Sequence, residues 1–404
     1  MMITVEEAKE LVEKHCESMP ACNSSLPNSL GRILAKDVVS PLNSPPFEQS
    51  AMDGYAINLA SVRPETAIEI MGIAQAGDTE IMHLEPGKAM RIFTGAAIPI
   101  GANSIIMQEH VKASGKHILI EEHAFVAGTH IRKMGSQIKK GEIALRAGKR
   151  INPGLIGYLA GLGIFEISVI PEPKIGLILT GKELIAPGNE LKHGQIFESN
   201  SYMLAGLLKE AGLSFSFQKT VDDCEQDVID AIKEGLSCCD LLLVSGGISV
   251  GDFDFVEKAF DSNEVEPIFY KVKQKPGKPL YFGKKKGVLV FGLPGNPASI
   301  LSCCYEYVVP AIRKMMGLEF HPYGKLFLPI GHDAQKKVGL THFLKARIEQ
   351  GFVFLCDGQE SYKLNAFSNA NCLAIMPQDS TAVSEGTPLE IHQFSECWLH
   401  NETL

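Results

Sequence analysis

"GVLVFGLPGNP" (residues 287–297) decides how the middle of this chain folds. Val288, Leu289, Val290 and Phe291 are apolar without alternation. The strand they predict is therefore buried on both faces, as in a parallel sheet covered by helices on each side. Two glycines and two prolines fall in residues 292–297, and "ASILSCCYEYVVPAIRKMMG" (298–317) then reads as a long helix. A glycine-bearing loop between a strand and a helix can be a plain turn. It can also bring backbone N–H groups and a helix N-terminus up to an anion.

The same layout occurs twice upstream. "PKIGLILTG" (173–181) runs into Thr180-Gly181-Lys182-Glu183, and "DLLLVSGG" (240–247) runs into "SGGISVGDFD" (245–254). Between these strands lie a helix through "SYMLAGLLKEAG" (201–212), which Ser199 or Asn200 can cap, and a strand "SFSFQKTV" (214–221). Further helices are expected over about 225–236 and near 254–260. Strands alternating with helices predict a mostly parallel α/β domain over residues 173–318. Three equivalent loops at strand ends favour ligand binding over turns, because ligands bind beyond the carboxyl ends of such strands.

The flanks read differently. Thr4 and Glu7 form a capping box ahead of an apolar face of Val5, Ala8, Leu11 and Val12. The three prolines of "PLNSPPFEQSAMDGYA" (41–56) suit a linker. Short alternating runs punctuated by Gly, Pro or Asn predict a β-rich inserted domain over 47–145. Residues 1–46 and 146–172 form an N-terminal and linker domain. The β pattern returns in "KLFLPI", "HFLKARIE", "FVFLC", "CLAIMP" and "PLEIHQF", a C-terminal, barrel-like β domain over 319–404.

At 404 residues the chain is too long for one core. It carries 38 basic and 47 acidic side chains, a net charge of −9, which argues against nucleic acid as a partner. The acidic start "MMITVEEAKE" is unlike a signal peptide, and no apolar run is long enough for a membrane helix. A cytoplasmic protein without a membrane partner is expected. The ten cysteines contain no C-x-x-C, and the 12 histidines no H-E-x-x-H, so reduced thiols are expected rather than a zinc ribbon or a disulfide framework.

The loops carry chemistry. The loops are no Walker A motif, and no G-x-G-x-x-G opens the first βα turn, which argues against dinucleotides. "QKPGKPLYFG" (274–283) adds Lys275 and Lys278, held by prolines and suited to phosphate or another oxyanion as point charges. Asp53, Glu183, Asp222 and Asp254 place carboxylates in loops. Phosphate ligands together with several carboxylates point to a bridging divalent ion, commonly Mg²⁺.

Six segments in order, "PFEQSAMDGYA", "IFTGAAIP", "LTGKEL", "SGGISVGDFD", "KPGKP" and "GLPGNPAS", resemble the molybdopterin molybdenumtransferase (MoeA) family, which includes the gephyrin E domain. The resemblance spans nearly the whole chain. It implies a four-domain homodimer whose α/β domain resembles molybdopterin adenylyltransferase, with the active site at the dimer interface. The implied reaction takes adenylylated molybdopterin and molybdate, inserts molybdenum and releases AMP with Mg²⁺, or alternatively Zn²⁺. By position, the resemblance assigns catalytic roles to Asp53, Thr94, Glu183, Asp222 and Asp254, the last three also as metal ligands. It assigns ligand binding to Gly246, Gly247, Ser249, Lys275, Lys278, Pro294, Gly295, Pro297 and Ser361. It also implies contact with the molybdopterin adenylyltransferase and with molybdenum enzymes.

The chain departs from that pattern in "IRKMGSQI" (131–138), where Ser136 and Gln137 replace two acids of the family's R-R-x-G-E-D. Lys182 stands where an acid is frequent, and Glu360 where glycine is usual. Three readings follow: an active transferase, a pterin-binding scaffold of low activity, and a nucleotide pyrophosphatase or phosphoesterase on a related α/β domain. The S-A-M-D-G-Y-A motif and the β-rich second domain argue against the third.

Overall fold

The computed structural model describes residues 2–63, 65–121, 125–248, 255–320, 326–394 and 398. They form two compact units, Met1–Cys22 with Ile170–Leu404, and Asn23–Val169. The first 22 residues thus pack with the larger unit rather than with the segment that follows them.

The larger unit is built on a six-stranded sheet in the order Phe215–Val221, Ile175–Thr180, Leu241–Ser245, Val288–Leu293, Tyr281–Lys285, Glu266–Tyr270. The first four strands run parallel, and the last two join antiparallel. The unbroken apolar runs explain this layering. Ile175, Leu177, Leu179, Leu241, Leu243, Leu289 and Phe291 face one core, with helices Val5–His15 and Asn200–Glu210 and residues 297–315. Ile178, Leu242, Val244 and Val290 face the other, with helices Glu225–Cys238 and Val256–Ser262. Alternate side chains of one strand feed two cores, so the central strands stay apolar over Ile175–Leu179, Leu241–Val244 and Leu289–Phe291 and turn polar only at Thr180 and Ser245, beside the strand-end loops.

The predicted Thr4–Glu7 capping box is present. The cap expected of Ser199 or Asn200 is not. Ser199 holds the cap position without a side-chain bond, and Glu198 accepts from the Ser201 N–H (2.8 Å) and hydroxyl (2.5 Å) instead. A carboxylate satisfies the orphan helix donors better than a hydroxyl and suits the positive end of the helix dipole.

The helix after "GLPGNP" is α-helical over Pro297–Cys303, widens to a π-helical turn over Cys304–Val308, and resumes over Val309–Met315. All five residues of the wide turn are buried, including Glu306 and Tyr307.

Gly292 sits inside the strand that leads to this helix. A Cβ there would lie 2.2 Å from Ile248 Cδ1, so the glycine makes room for a core side chain of the neighbouring loop and not for a ligand. Gly292→Ala is expected to destabilise the protein by about 1–3 kcal/mol through overpacking, read as a lower midpoint in urea with an unchanged slope.

The C-terminal strands Phe352–Leu355, Thr341–Glu349, Cys372–Met376, Pro388–Gln393 and Leu326–Pro329 pair in that order. A bridge from Ile330 to Val353 joins the two edges, so the sheet closes as the sequence suggested. In the smaller unit, a six-stranded sheet runs Ser104–Met107, Gly54–Ile57, Ala89–Ile92, Ile68–Ala74, His117–Ile120, Val111–Ser114. Three further small sheets and the helix Pro153–Gly161 accompany it. Among the described residues no helix is long and apolar enough to cross a membrane.

Candidate active site

A cavity of about 490 Å³ lies at the carboxyl ends of the parallel strands. The three strand-end loops converge on it, through Thr180, Gly181 and Glu183, through Ser245, Gly246 and Gly247, and through Pro294, Gly295, Asn296 and Pro297. The start of helix Asn200–Glu210 supplies Ser199 and Asn200. Pro297 is the first residue of the other helix that begins here; its fixed φ suits that position, and its missing N–H would have no partner there in any case. Two helices thus begin at the cavity, but their first donors are already taken: the Ser201 N–H by Glu198 (2.8 Å), and the Ala298 and Ser299 N–H groups by the Ser361 (3.2 Å) and Asn296 (3.0 Å) carbonyls. A ligand anion therefore depends on the loop backbone rather than on the helix ends.

The glycines fit the loops by geometry. Gly246 has φ +97°, and a Cβ on it would lie 2.5 Å from the Thr180 carbonyl oxygen. Gly295 is different: nothing lies within 4 Å of its Cβ position, so the backbone there is open to a ligand.

Thr180 and Asn200 are buried, and Thr180 Oγ1 and Asn200 Oδ1 have no hydrogen-bond partner among the described residues. The Asn200 amide nitrogen donates to Ser245 Oγ (3.4 Å) and to the Gly295 carbonyl (3.1 Å), so this one side chain ties two of the loops together. A buried acceptor without a partner costs about 1–3 kcal/mol, which a donor on a ligand would recover.

Glu183 is half-buried, with its carboxylate folded over Gly181. Asp222 does not line the cavity; its neighbour Asp223 does, and accepts from the Lys182 N–H at 3.5 Å. Ser249 and Asp254 lie outside the described residues. No three metal-binding side chains cluster among the described residues. Glu183 and Asp223 offer two hard oxygen donors. They fit Mg²⁺, which takes one or two carboxylates together with substrate phosphates, better than Zn²⁺, which prefers nitrogen and sulfur.

Lys275 and Lys278 are exposed on the turn that precedes Pro279, which lines the cavity. Lys275 pairs in the ladder with His342, whose imidazole burial and the Lys336 and Lys275 charges push down to about 4. His342 is therefore neutral at pH 7 and adds no positive charge beside the lysine.

Ser361 does not line the cavity. Its hydroxyl accepts from Asn296 Nδ2 (3.1 Å) and its carbonyl from the Ala298 N–H (3.2 Å), which fastens it to the wall loop from outside. The loop bearing Ser361 is shaped in turn by buried Lys345, whose ammonium donates to the carbonyls of Gly358 (2.5 Å), Glu360 (3.2 Å) and Lys363 (3.2 Å).

Asp53 and Thr94 belong to the smaller unit. Asp53 Oδ1 accepts from the Thr94 N–H (2.7 Å) and hydroxyl (2.8 Å). The backbone bond first, then the hydroxyl, hold the carboxyl below its ordinary pKa. Arg91 donates to the Gly54 carbonyl (2.9 Å) and to Gln108 Oε1 (2.6 Å), and stacks on Tyr55 and Phe93. Gln137, which stands where the resemblance expects an acid, accepts from the Ser44 hydroxyl at 2.8 Å.

Residues that sequence reasoning did not place here include Ile196 and Phe197, Ile248 and Asp223. Ile196 and Phe197 come from a short excursion in which Leu184–Ile185 pairs in parallel with Ile196–Phe197.

The chain matches the families described as MoeA N-terminal region (domain I and II) over residues 3–163, probable molybdopterin binding domain over 176–314, and MoeA C-terminal region (domain IV) over 328–394. A molybdopterin molybdenumtransferase of Haemophilus influenzae is 32% identical over 98% of this chain and 99% of its own. One of Staphylococcus epidermidis is 32% identical over 96% and 95%. A solved molybdopterin biosynthesis MoeA protein of Pyrococcus horikoshii superposes with a TM-score of 0.83 at 29% identity, covering 98% of this chain and 99% of that one. With full-length matches in sequence and fold, the chain belongs to the molybdopterin molybdenumtransferase family.

Proposed function

We propose that this chain inserts molybdenum from molybdate into adenylylated molybdopterin with release of AMP, and that the three-loop cavity holds the pterin substrate. The convergence of three glycine-bearing loops on a cavity of about 490 Å³ carries this reading. That volume suits a drug-sized organic anion. The backbone N–H groups of Gly247, Gly295 and Asn296 take the phosphate. Thr180 Oγ1 and Asn200 Oδ1 accept from donors on the ring system.

Lys275 and Lys278 attract the oxyanions by charge, molybdate among them. Glu183 and Asp223, together with Asp254, would hold a divalent ion. That ion, when bound, neutralises phosphate charge and favours departure of AMP. The chain's own residues orient the phosphates against it. Asp53, kept ionised by Thr94, offers Oδ2 as a charged hydrogen-bond acceptor for a donor on the substrate. The working form is a cytoplasmic homodimer that receives its substrate from the adenylyltransferase and passes its product to molybdenum enzymes.

The test is AMP release from adenylylated molybdopterin by the full chain with molybdate and Mg²⁺. Molybdate-dependent release supports the reading. Tight pterin binding with release at background would instead mark a scaffold, and hydrolysis of simple nucleotides without pterin a phosphoesterase.

A further inference from the structure

Behind the lysine-bearing turn lies a buried polar constellation that the reaction itself does not use. Gln274 is 1% exposed. Its Nε2 donates to the Gly277 carbonyl at 2.9 Å and lies 3.4 Å from Cys303 Sγ, while its Oε1 accepts from the Tyr307 hydroxyl at 2.5 Å. A carbonyl can only accept, so Gly277 must face the amide nitrogen. The phenol then donates to the amide oxygen, and both ends of the amide are oriented without ambiguity. Gly277 has φ +81°, and a Cβ on it would lie 2.4 Å from Cys303 Sγ and 3.0 Å from Gln274 Nε2. The turn therefore rests directly on these two side chains.

Cys303 and Tyr307 both belong to the helical run that starts at Pro297, and Tyr307 sits in its π-helical turn. One rigid element thus presents the cavity-wall loop at its N-terminus and carries the seat of the lysine turn one to three turns further on. Tyr307 is wholly buried, so its hydroxyl has no water to replace Gln274.

We propose that Gln274 is a positioning residue for oxyanion binding. With Tyr307 and Cys303 it fixes the Gly277 carbonyl, and so sets where Lys275 and Lys278 present their ammonium groups. This rests on the reading that those lysines hold oxyanions. Flexible lysines attract an anion weakly because ordering them costs side-chain entropy; a seated turn has met part of that cost in the fold.

The experiment is calorimetric titration of the full-length protein with molybdate, using wild type, Gln274→Leu, Tyr307→Phe, Lys275→Gln and the double variant Gln274→Leu/Lys275→Gln. Gln274→Leu is expected to weaken binding by about tenfold and Tyr307→Phe by about fivefold. The double variant is expected to bind within about twofold of Gln274→Leu, because a lysine no longer positioned has little left to lose. If Gln274→Leu does not fold, Tyr307→Phe decides. Binding within about twofold of wild type in the folded variants, while Lys275→Gln weakens it, overturns the proposal, as do fully additive effects. Unchanged binding in Lys275→Gln overturns the oxyanion reading itself, and this proposal with it.

Discussion

Replacing Glu306 with alanine is expected to destabilise the protein by about 3–5 kcal/mol, the cost of removing one partner from a buried ionic cluster. Glu306 is 1% exposed in the π-helical turn. Lys9 Nζ reaches its Oε2 at 2.6 Å, and His392 Nδ1 lies 2.8 Å from Oε1. His392 Nε2 is 3.3 Å from Glu390 Oε1. The cluster joins the first helix, the helix of the cavity wall and the C-terminal sheet. Burial works against the Glu306 charge, but His392 and Lys9 outweigh it and hold the carboxyl at about 2, below its ordinary value of 4.5. Burial also works against His392, and Glu306 outweighs that, so the imidazole is raised above 6.5.

The two shifts give a pH signature. A carboxyl depressed on folding contributes stability that is present above its unfolded pKa of 4.5 and lost as pH falls toward about 2. An imidazole raised on folding contributes stability that is present below its unfolded pKa of 6.5 and lost as pH rises through the higher folded value. The difference in melting temperature between wild type and Glu306→Ala should therefore be largest between about pH 4.5 and 6.5 and shrink on both sides. Lys9 stays charged and preserves part of the difference at higher pH. A difference that stayed equally large well below pH 4.5 and well above pH 6.5 would contradict the account.

Glu183→Gln is expected to reduce molybdate-dependent turnover by about 10²–10³-fold, the usual cost of removing one preorganised charge from a reacting centre. Glutamine keeps the size and one acceptor oxygen and loses only the charge. The carboxylate already lies over Gly181 at the cavity wall, so the isostere has a place to sit and folding should survive. A kcat that falls while the KM for the pterin substrate moves little would mark a role in the transition state. Rates within about threefold of wild type would remove Glu183 from the proposed metal site.

The parallel sheet and its three loops were legible because they rest on local patterns. Runs such as Leu241 to Val244 have no polar position, and each ends in glycine. What escaped the sequence depends on tertiary packing. Gly292 looked like room for a ligand, yet its space is filled by Ile248 from another loop. Asp222 and Asp223 are adjacent acids in one turn, and no periodicity tells which enters the cavity. The Glu198 cap was hidden because Ser199 and Asn200 are themselves good cap residues. The short strands Leu184–Ile185 and Ile196–Phe197 are too brief for any alternation to register, although they bring Phe197 to the cavity. Gln274 opens the lysine-bearing stretch "QKPGKPLYFG" with nothing in the sequence to set it apart; only the fold reveals it as buried beneath the turn.

The most direct test of the central claim, that the three-loop cavity is where adenylylated molybdopterin reacts, is AMP release measured on wild type and on Gly246→Ala. A Cβ at position 246 would meet the Thr180 carbonyl at 2.5 Å on a backbone with φ +97°, so it must distort two of the three loops. The account predicts molybdate-dependent AMP release by wild type and a loss of at least about a hundredfold in folded Gly246→Ala. No release by folded wild type, or release by the variant within about twofold of it, would contradict the account.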